Sequence, residues 1–155
     1  MNELKESAAS KILRAILYVI FAEGIVLTVT MPFMIDRYLR VLYDAYAVDT
    51  GYKTFITVFL MVVGILGIFI IWQLIVIMRT LTKNPFVRRN VKSLNIIGIT
   101  AFITAALFFV KCFVYVTIMT LLGGVCLIIL GLFAFTLANL FDKAVEYKEE
   151  NDLTI

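Results

Sequence analysis

Residues 54–78, TFITVFLMVVGILGIFIIWQLIVIM, run for 25 positions without a charged side chain. A helix needs roughly 17 to 25 mainly apolar residues to cross a hydrocarbon core about 30 Å thick, so this run has the length of one membrane span. It is unbroken rather than alternating, which excludes a barrel strand, and inside hydrocarbon a helix supplies its own backbone partners. The rest of the chain agrees: 63% of the 155 residues are hydrophobic and 16% are charged. A soluble domain carries about 45 to 50% apolar and about 25% charged residues, so this chain has too little polar surface to coat a water-soluble particle. Disorder, a dense basic nucleic-acid-binding face and a disulfide-stapled scaffold are excluded on the same grounds, and direct contact with nucleic acid is not expected.

Three further runs flank the first. Residues 15–35 form 21 positions interrupted only by Glu23, and they follow Lys11 and Arg14. Residues 94–110 are 17 uncharged positions, and after Lys111 the chain is uncharged for 30 more, from Cys112 to Phe141. Thirty residues exceed one ordinary span. The third span therefore extends to about Tyr115 and the fourth runs from about Thr120, with five or six residues around Val116–Thr120 reversing the chain. The expected architecture is an all-α integral membrane protein, a single membrane domain over 1–155. Its four spans, about 15–35, 54–78, 94–115 and 120–141, form an antiparallel bundle. A cleaved signal peptide fits poorly, because its apolar stretch would contain Glu23 and no small-x-small site precedes Met31-Pro32.

Orientation follows from the Lys and Arg residues of the short connections. Lys5, Lys11 and Arg14 precede the first span; Arg79, Lys83, Arg88, Arg89 and Lys92 lie between the second and third; Lys143 and Lys148 follow the fourth. These ten face Arg37, Arg40, Lys53 and Lys111, four in all, on the other side. The bundle is thus read as N-in/C-in, with a basic cytoplasmic loop at 79–92 and a cytoplasmic tail at 142–155.

The outer segment, 36–53, holds four of the seven tyrosines: Tyr38, Tyr43, Tyr46 and Tyr52. Leu39, Leu42, Tyr43 and Tyr46 recur at helical spacing while Asp36, Arg40 and Asp44 lie four apart, the pattern of an interfacial helix. It reads either as an aromatic belt or as a lid over an outward-facing pocket. In the basic loop, Asn84-Pro85 reads as the start of the third helix, with Asn as cap and Pro in the first turn. This loop anchors the chain against anionic headgroups or docks an acidic partner. The tail from Asp142 to Asp152 has five acids against Lys143 and Lys148. Tail and loop pair with each other, or exchange that pairing for an external partner, because exposed ion pairs are weak.

Glu23 is the one acid within a span, roughly 13 Å along the helix from Arg14. A charge at that depth costs at least about 2.5 to 3.5 kcal/mol, so the residue is either functional or a protonated acid bonded to Gln73 or Thr104 at similar depth. Lys111, roughly 28 Å along the third helix from Lys92, is expected to snorkel to the outer surface. Gly98, Ala101 and Ala105 share one face of the third span, and Gly124, Gly131 and Ala138 recur every seven residues in the fourth. Small residues let helices approach closely, within one chain or, in the second reading, across a homo-oligomer seam.

The sequence has no histidine, and its two cysteines, Cys112 and Cys126, form no C-x-x-C pair. No phosphate-binding loop or metalloprotease motif is present, so no catalytic residue, cofactor or metal is expected.

Pro85, Phe86, Asn90, Leu94, Ile97 and Gly98 spell P-F-x-x-x-N-x-x-x-L-x-x-I-G, and the chain closes on KEENDLTI, residues 148–155. These stretches resemble a family of small bacterial four-helix membrane proteins of unknown function, with a similar P-F start to the third helix and an E-N-D-L-T ending. The resemblance covers residues 84–155; the first two spans share only general character. It implies a multi-pass protein of the bacterial cytoplasmic membrane. It also implies a cytoplasmic partner, since members are often encoded beside a small helix-turn-helix regulator. The residues expected to carry that contact are Pro85, Phe86, Arg88, Arg89 and Asn90 with Glu149, Glu150, Asn151, Asp152 and Leu153. The leading expectation is a non-enzymatic membrane protein that tethers or senses for such a regulator. The alternative is a small transporter or exporter component, or an immunity-type protein, using Glu23, Gln73 and Thr104 in a polar pocket.

Overall fold

Each apolar run becomes the middle of a longer helix. The computed structural model describes residues 8–43, 50–81 and 85–152, and the four helices are α1 (Ala8–Tyr43), α2 (Thr50–Leu81), α3 (Arg88–Val114) and α4 (Ile118–Asp152). All four are long and apolar enough to cross a membrane. The chain is an all-α four-helix membrane protein, and no strand occurs among the described residues. The 35 residues of α4 span about 52 Å at 1.5 Å each, more than the roughly 40 to 45 Å of a bilayer with its headgroups. Its polar last three turns, from Asp142, therefore project from the end that carries the basic loop.

The helices pack in chain order: α1 on α2, α2 on α3, and α3 most extensively on α4. Lying between two neighbours, α3 is the most buried, and α1 touches α2 alone among the described elements. One apolar cluster joins Ile77 of α2, Leu94 and Ile97 of α3, and Ala134 and Ala138 of α4. A second, at the opposite end, joins Ile35 and Leu39 of α1 to Ile56 of α2.

The small residues of α3 and α4 are buried as their spacing implies, Ala101 and Ala138 among the most completely. They work through a reciprocal device. A Cβ at Gly98 would lie 2.9 Å from the Phe135 ring, and one at Gly131 would lie 2.8 Å from the Phe102 ring and 3.3 Å from the Gly98 carbonyl oxygen. Phe102 and Phe135 stack on each other with centroids 5.9 Å apart. Each glycine thus receives the aromatic that stands one turn beyond the other glycine. Between α1 and α2, Thr28 occupies the space over Gly64, where a Cβ would meet its hydroxyl at 2.5 Å.

Three boundaries differ from the sequence reading. Nothing between 36 and 43 stops a helix, so α1 continues to Tyr43, with Leu39 packed on α2 and Asp36 paired with Lys53 at 2.6 Å. Residues 44–49, with Asp44 and Tyr46, lie outside the described residues. The α3–α4 turn is tighter than five or six residues: it is Tyr115–Thr117, where extended Tyr115 donates its N–H to the Lys111 carbonyl at 2.8 Å. Finally, α3 begins at Arg88 behind an extended Val87, with Pro85 and Phe86 ahead of the helix. Asn84, the expected cap, lies outside the described residues.

Candidate functional site

The late start of α3 has a local cause in Asn90, whose side chain is wholly buried. Its Nδ2 donates to the Pro85 carbonyl at 2.8 Å, and its Oδ1 accepts from the Thr80 hydroxyl at the end of α2. The bend at Pro85-Phe86 is therefore tied to both helices it connects. Phe86 then reaches α4, its ring centroid 5.8 Å from that of Phe141. Asn90 is buried on the first turn of α3, behind the bend, whereas the sequence placed it on a contact surface.

Arg88, on the first turn of α3, bridges to two acids of α4. Its Nη1 meets Asp142 Oδ1 at 2.7 Å, its Nη2 meets Glu149 Oε2 at 2.8 Å, and its Nε meets Glu149 Oε1 at 3.3 Å. Asp142 and Glu149 are seven residues apart, two turns along one face, so one guanidinium spans both. The Arg88 hydrogen bond is the main reason the Glu149 carboxyl sits below its ordinary value; Arg88 is in turn held above its own, chiefly by the same bond. Loop and tail do pair with each other through this residue. All three side chains remain about half exposed, so the bridge is open to competition.

The other expected contact residues divide. Arg89 and Glu150 are exposed, as are Glu146 and Tyr147 of the same extension. Asn151 is exposed, the Asp152 side chain is outside the description, and Leu153 lies beyond the described residues. A neighbouring cluster went unnoticed in the sequence: Arg79 of α2 donates from Nε and Nη2 to the Tyr18 hydroxyl of α1 at 2.9 and 2.6 Å, and its guanidinium lies over the Trp72 ring, 6.0 Å from the centroid. Its signal was present as Tyr, Trp and Arg at one membrane level, the usual interfacial set.

The intramembrane polar residues are not brought together. Glu23 is on an exposed face of α1, Gln73 is half-buried on α2, and Thr104 is buried on α3, which α1 does not touch. Thr104 donates to the Thr100 carbonyl at 2.8 Å within its own helix. Equal depth is not adjacency, because depth leaves the direction around each helix open. Lys111 also departs from expectation. Rather than reaching the surface it is buried, its Nζ donating to Thr120 Oγ1 at 2.6 Å and to Thr117 Oγ1 at 3.4 Å.

Among the described residues no group of three or more His, Cys, Asp or Glu side chains is placed to hold a metal, and Cys112 and Cys126 are free thiols. No curated protein and no solved structure matches the chain significantly. A family match does, over residues 35–155, and it reaches well beyond the 84–155 of the sequence resemblance to take in the end of α1 and all of α2. That match covers most of the chain, which belongs to the DUF2975 family of proteins of unknown function.

Proposed function

We propose that this is a non-enzymatic protein of the bacterial cytoplasmic membrane that acts through protein contacts at its basic end, tethering or sensing for a small helix-turn-helix regulator. The observation that carries the reading is the Arg88 bridge to Asp142 and Glu149, which braces a polar helical extension beyond the apolar part of α4. A braced helix presents its side chains with less ordering cost than a loose tail. The presented face bears Glu146, Tyr147 and Glu150, while DNA-binding regulators carry clustered basic residues. Regulator held there has part of its basic surface covered and is kept from DNA.

The test is co-expression of the tagged full chain with the helix-turn-helix regulator encoded beside its gene, followed by purification in detergent. The regulator is expected to co-purify, to be lost on deleting residues 149–155, and to be weakened by Glu146→Lys. Retention of the regulator by the deleted chain, or no association in any form, overturns the proposal.

A further inference from the structure

Away from the basic end, the α3–α4 turn encloses a cation that no anion among the described residues meets. Lys111 is 7% exposed, and its ammonium is contacted by two threonine hydroxyls and, 5.8 Å away, by the ring of Phe59. Among the described residues no acid pairs with it. Hydroxyls and an aromatic face solvate a cation without neutralising it, and a buried charge is ordinarily matched by an opposite one. Next to it a groove of about 370 Å³ runs between α2 and α3, lined by Thr54, Val58, Phe59, Val62, Leu107 and Val110. Val58, Val62 and Val110 are exposed along its rim, so it opens towards the surrounding hydrocarbon. Phe59 is shared: one ring walls the groove and faces the ammonium.

We infer that this groove and Lys111 form one site for an anionic phospholipid, whose chain lies between α2 and α3 and whose phosphate is held by Lys111 with Thr117 and Thr120. The dimensions fit. From Thr54 to Val62 the groove is about 12 Å long at 1.5 Å per residue, close to the roughly 15 Å that one leaflet contributes to a 30 Å core. A protein helix, about 10 to 12 Å across, does not enter a groove of this volume. A soluble anion would leave its apolar wall unused. The polar cluster lies at the turn end of the groove, where headgroups are, and the half-buried Thr117 leaves it accessible from that side. Charge complementarity selects an anionic headgroup over a zwitterionic one, because the choline of the latter brings its own cation to the same place.

The experiment is native mass spectrometry of the full chain in detergent, with phosphatidylglycerol and phosphatidylcholine of identical acyl chains added in equal amounts. One molecule of phosphatidylglycerol is expected to be retained with a preference of about tenfold, the ratio a charge-assisted hydrogen bond at the low end of its strength supplies. Lys111→Gln should remove the preference, and Val58→Trp, which fills the groove from its exposed rim, should remove bound lipid of both kinds. Equal retention of the two lipids by the unmodified chain overturns the proposal. So does a preference that survives Lys111→Gln. If Lys111→Gln does not fold, Val58→Trp still decides: the rim substitution leaves the cluster intact, and undiminished phosphatidylglycerol binding by it places the lipid elsewhere and refutes the site.

Discussion

Replacing Gly98 by Ala tests whether the crossing of α3 and α4 is set by the reciprocal glycine–phenylalanine contact. The added methyl would lie 2.9 to 3.1 Å from three atoms of the Phe135 ring, and that ring is itself stacked on Phe102 and not free to swing aside. Overpacking of this kind costs typically about 1 to 3 kcal/mol. Against it stands the helix preference of Ala over Gly, about 0.8 to 1.0 kcal/mol in water, and less here because spans unfolded within a membrane or micelle keep much of their helix. With about half of that helix term retained, the net expectation is a loss of roughly 0.5 to 2.5 kcal/mol. The diagnostic is a change of sign. In a Phe135→Ala background the obstructing ring is gone, and Gly98→Ala should become neutral or slightly stabilising. Reversible unfolding in mixed micelles, followed by helical circular dichroism for the four proteins of the cycle, measures both steps. A Gly98→Ala penalty that is the same with and without the Phe135 ring would show that the crossing is fixed elsewhere and that the ring contact is incidental.

Asn90→Ala leaves the partly buried Pro85 carbonyl without its side-chain donor and should cost towards the lower end of about 1 to 3 kcal/mol in the same unfolding assay; Asn90→Asp, which keeps the acceptor for Thr80 but loses the donor, should not rescue it. The Arg88–Glu149 contact gives a pH dependence whose sign is fixed by the carboxyl. Its folded value is depressed, so the pairing contributes fully above the ordinary value of 4.5 and is lost as pH falls through the lower folded value. Hydrogen exchange over residues 142–152 should therefore be steady from neutral pH to 4.5, apart from the intrinsic rate change, and lose protection below it; Arg88→Gln should abolish that transition, and an unchanged transition in the variant would assign it to another group.

The span number and the antiparallel order were legible because both follow from one-dimensional quantities: the length of uncharged runs and the side on which cations fall. The pairing of loop and tail was legible for a similar reason, since opposite charge collects at two segments that topology brings to one end. What required a structure is direction around each helix axis. Glu23 and Gly24 are neighbours in sequence, yet a turn of about 100° between them puts Gly24 against Ile68 of α2 and Glu23 on the exposed side. Depth counting therefore placed Glu23, Gln73 and Thr104 at similar heights, within bonding reach of one another, whereas the fold does not bring them together. Lys111 failed in another way: its height was right, but a three-residue turn folds Thr117 and Thr120 back over the ammonium, a contact that no spacing within α3 encodes. One signal was available and unused. Gly98 with Phe102 and Gly131 with Phe135 are the same G-x-x-x-F pattern on consecutive helices, and an antiparallel pair brings each ring onto the other glycine.

The unequal packing of the helices bears on how an acid is tolerated within α1. An exposed carboxyl in a span costs at least about 2.5 to 3.5 kcal/mol on insertion scales if ionised, and among the described elements α1 has α2 alone as a neighbour to offset it. The seam with α2 meets this by contacts at three heights. At the basic end Arg79 grips the Tyr18 hydroxyl, midway Thr28 seats over Gly64, and at the far end Ile35 and Leu39 close on Ile56 beneath the Asp36–Lys53 pair. The last of these lies within the residues the family match covers, and the first two join matched residues of α2 to a part of α1 that precedes it. The most extensively packed part of the molecule is the α3–α4 hairpin, and the two polar features on which the proposals rest, the Arg88 bridge and the Lys111 cluster, are built at opposite ends of it. A site needs side chains whose positions are fixed by close packing, and the glycine–phenylalanine seam that joins these two helices supplies that fixity between the two ends.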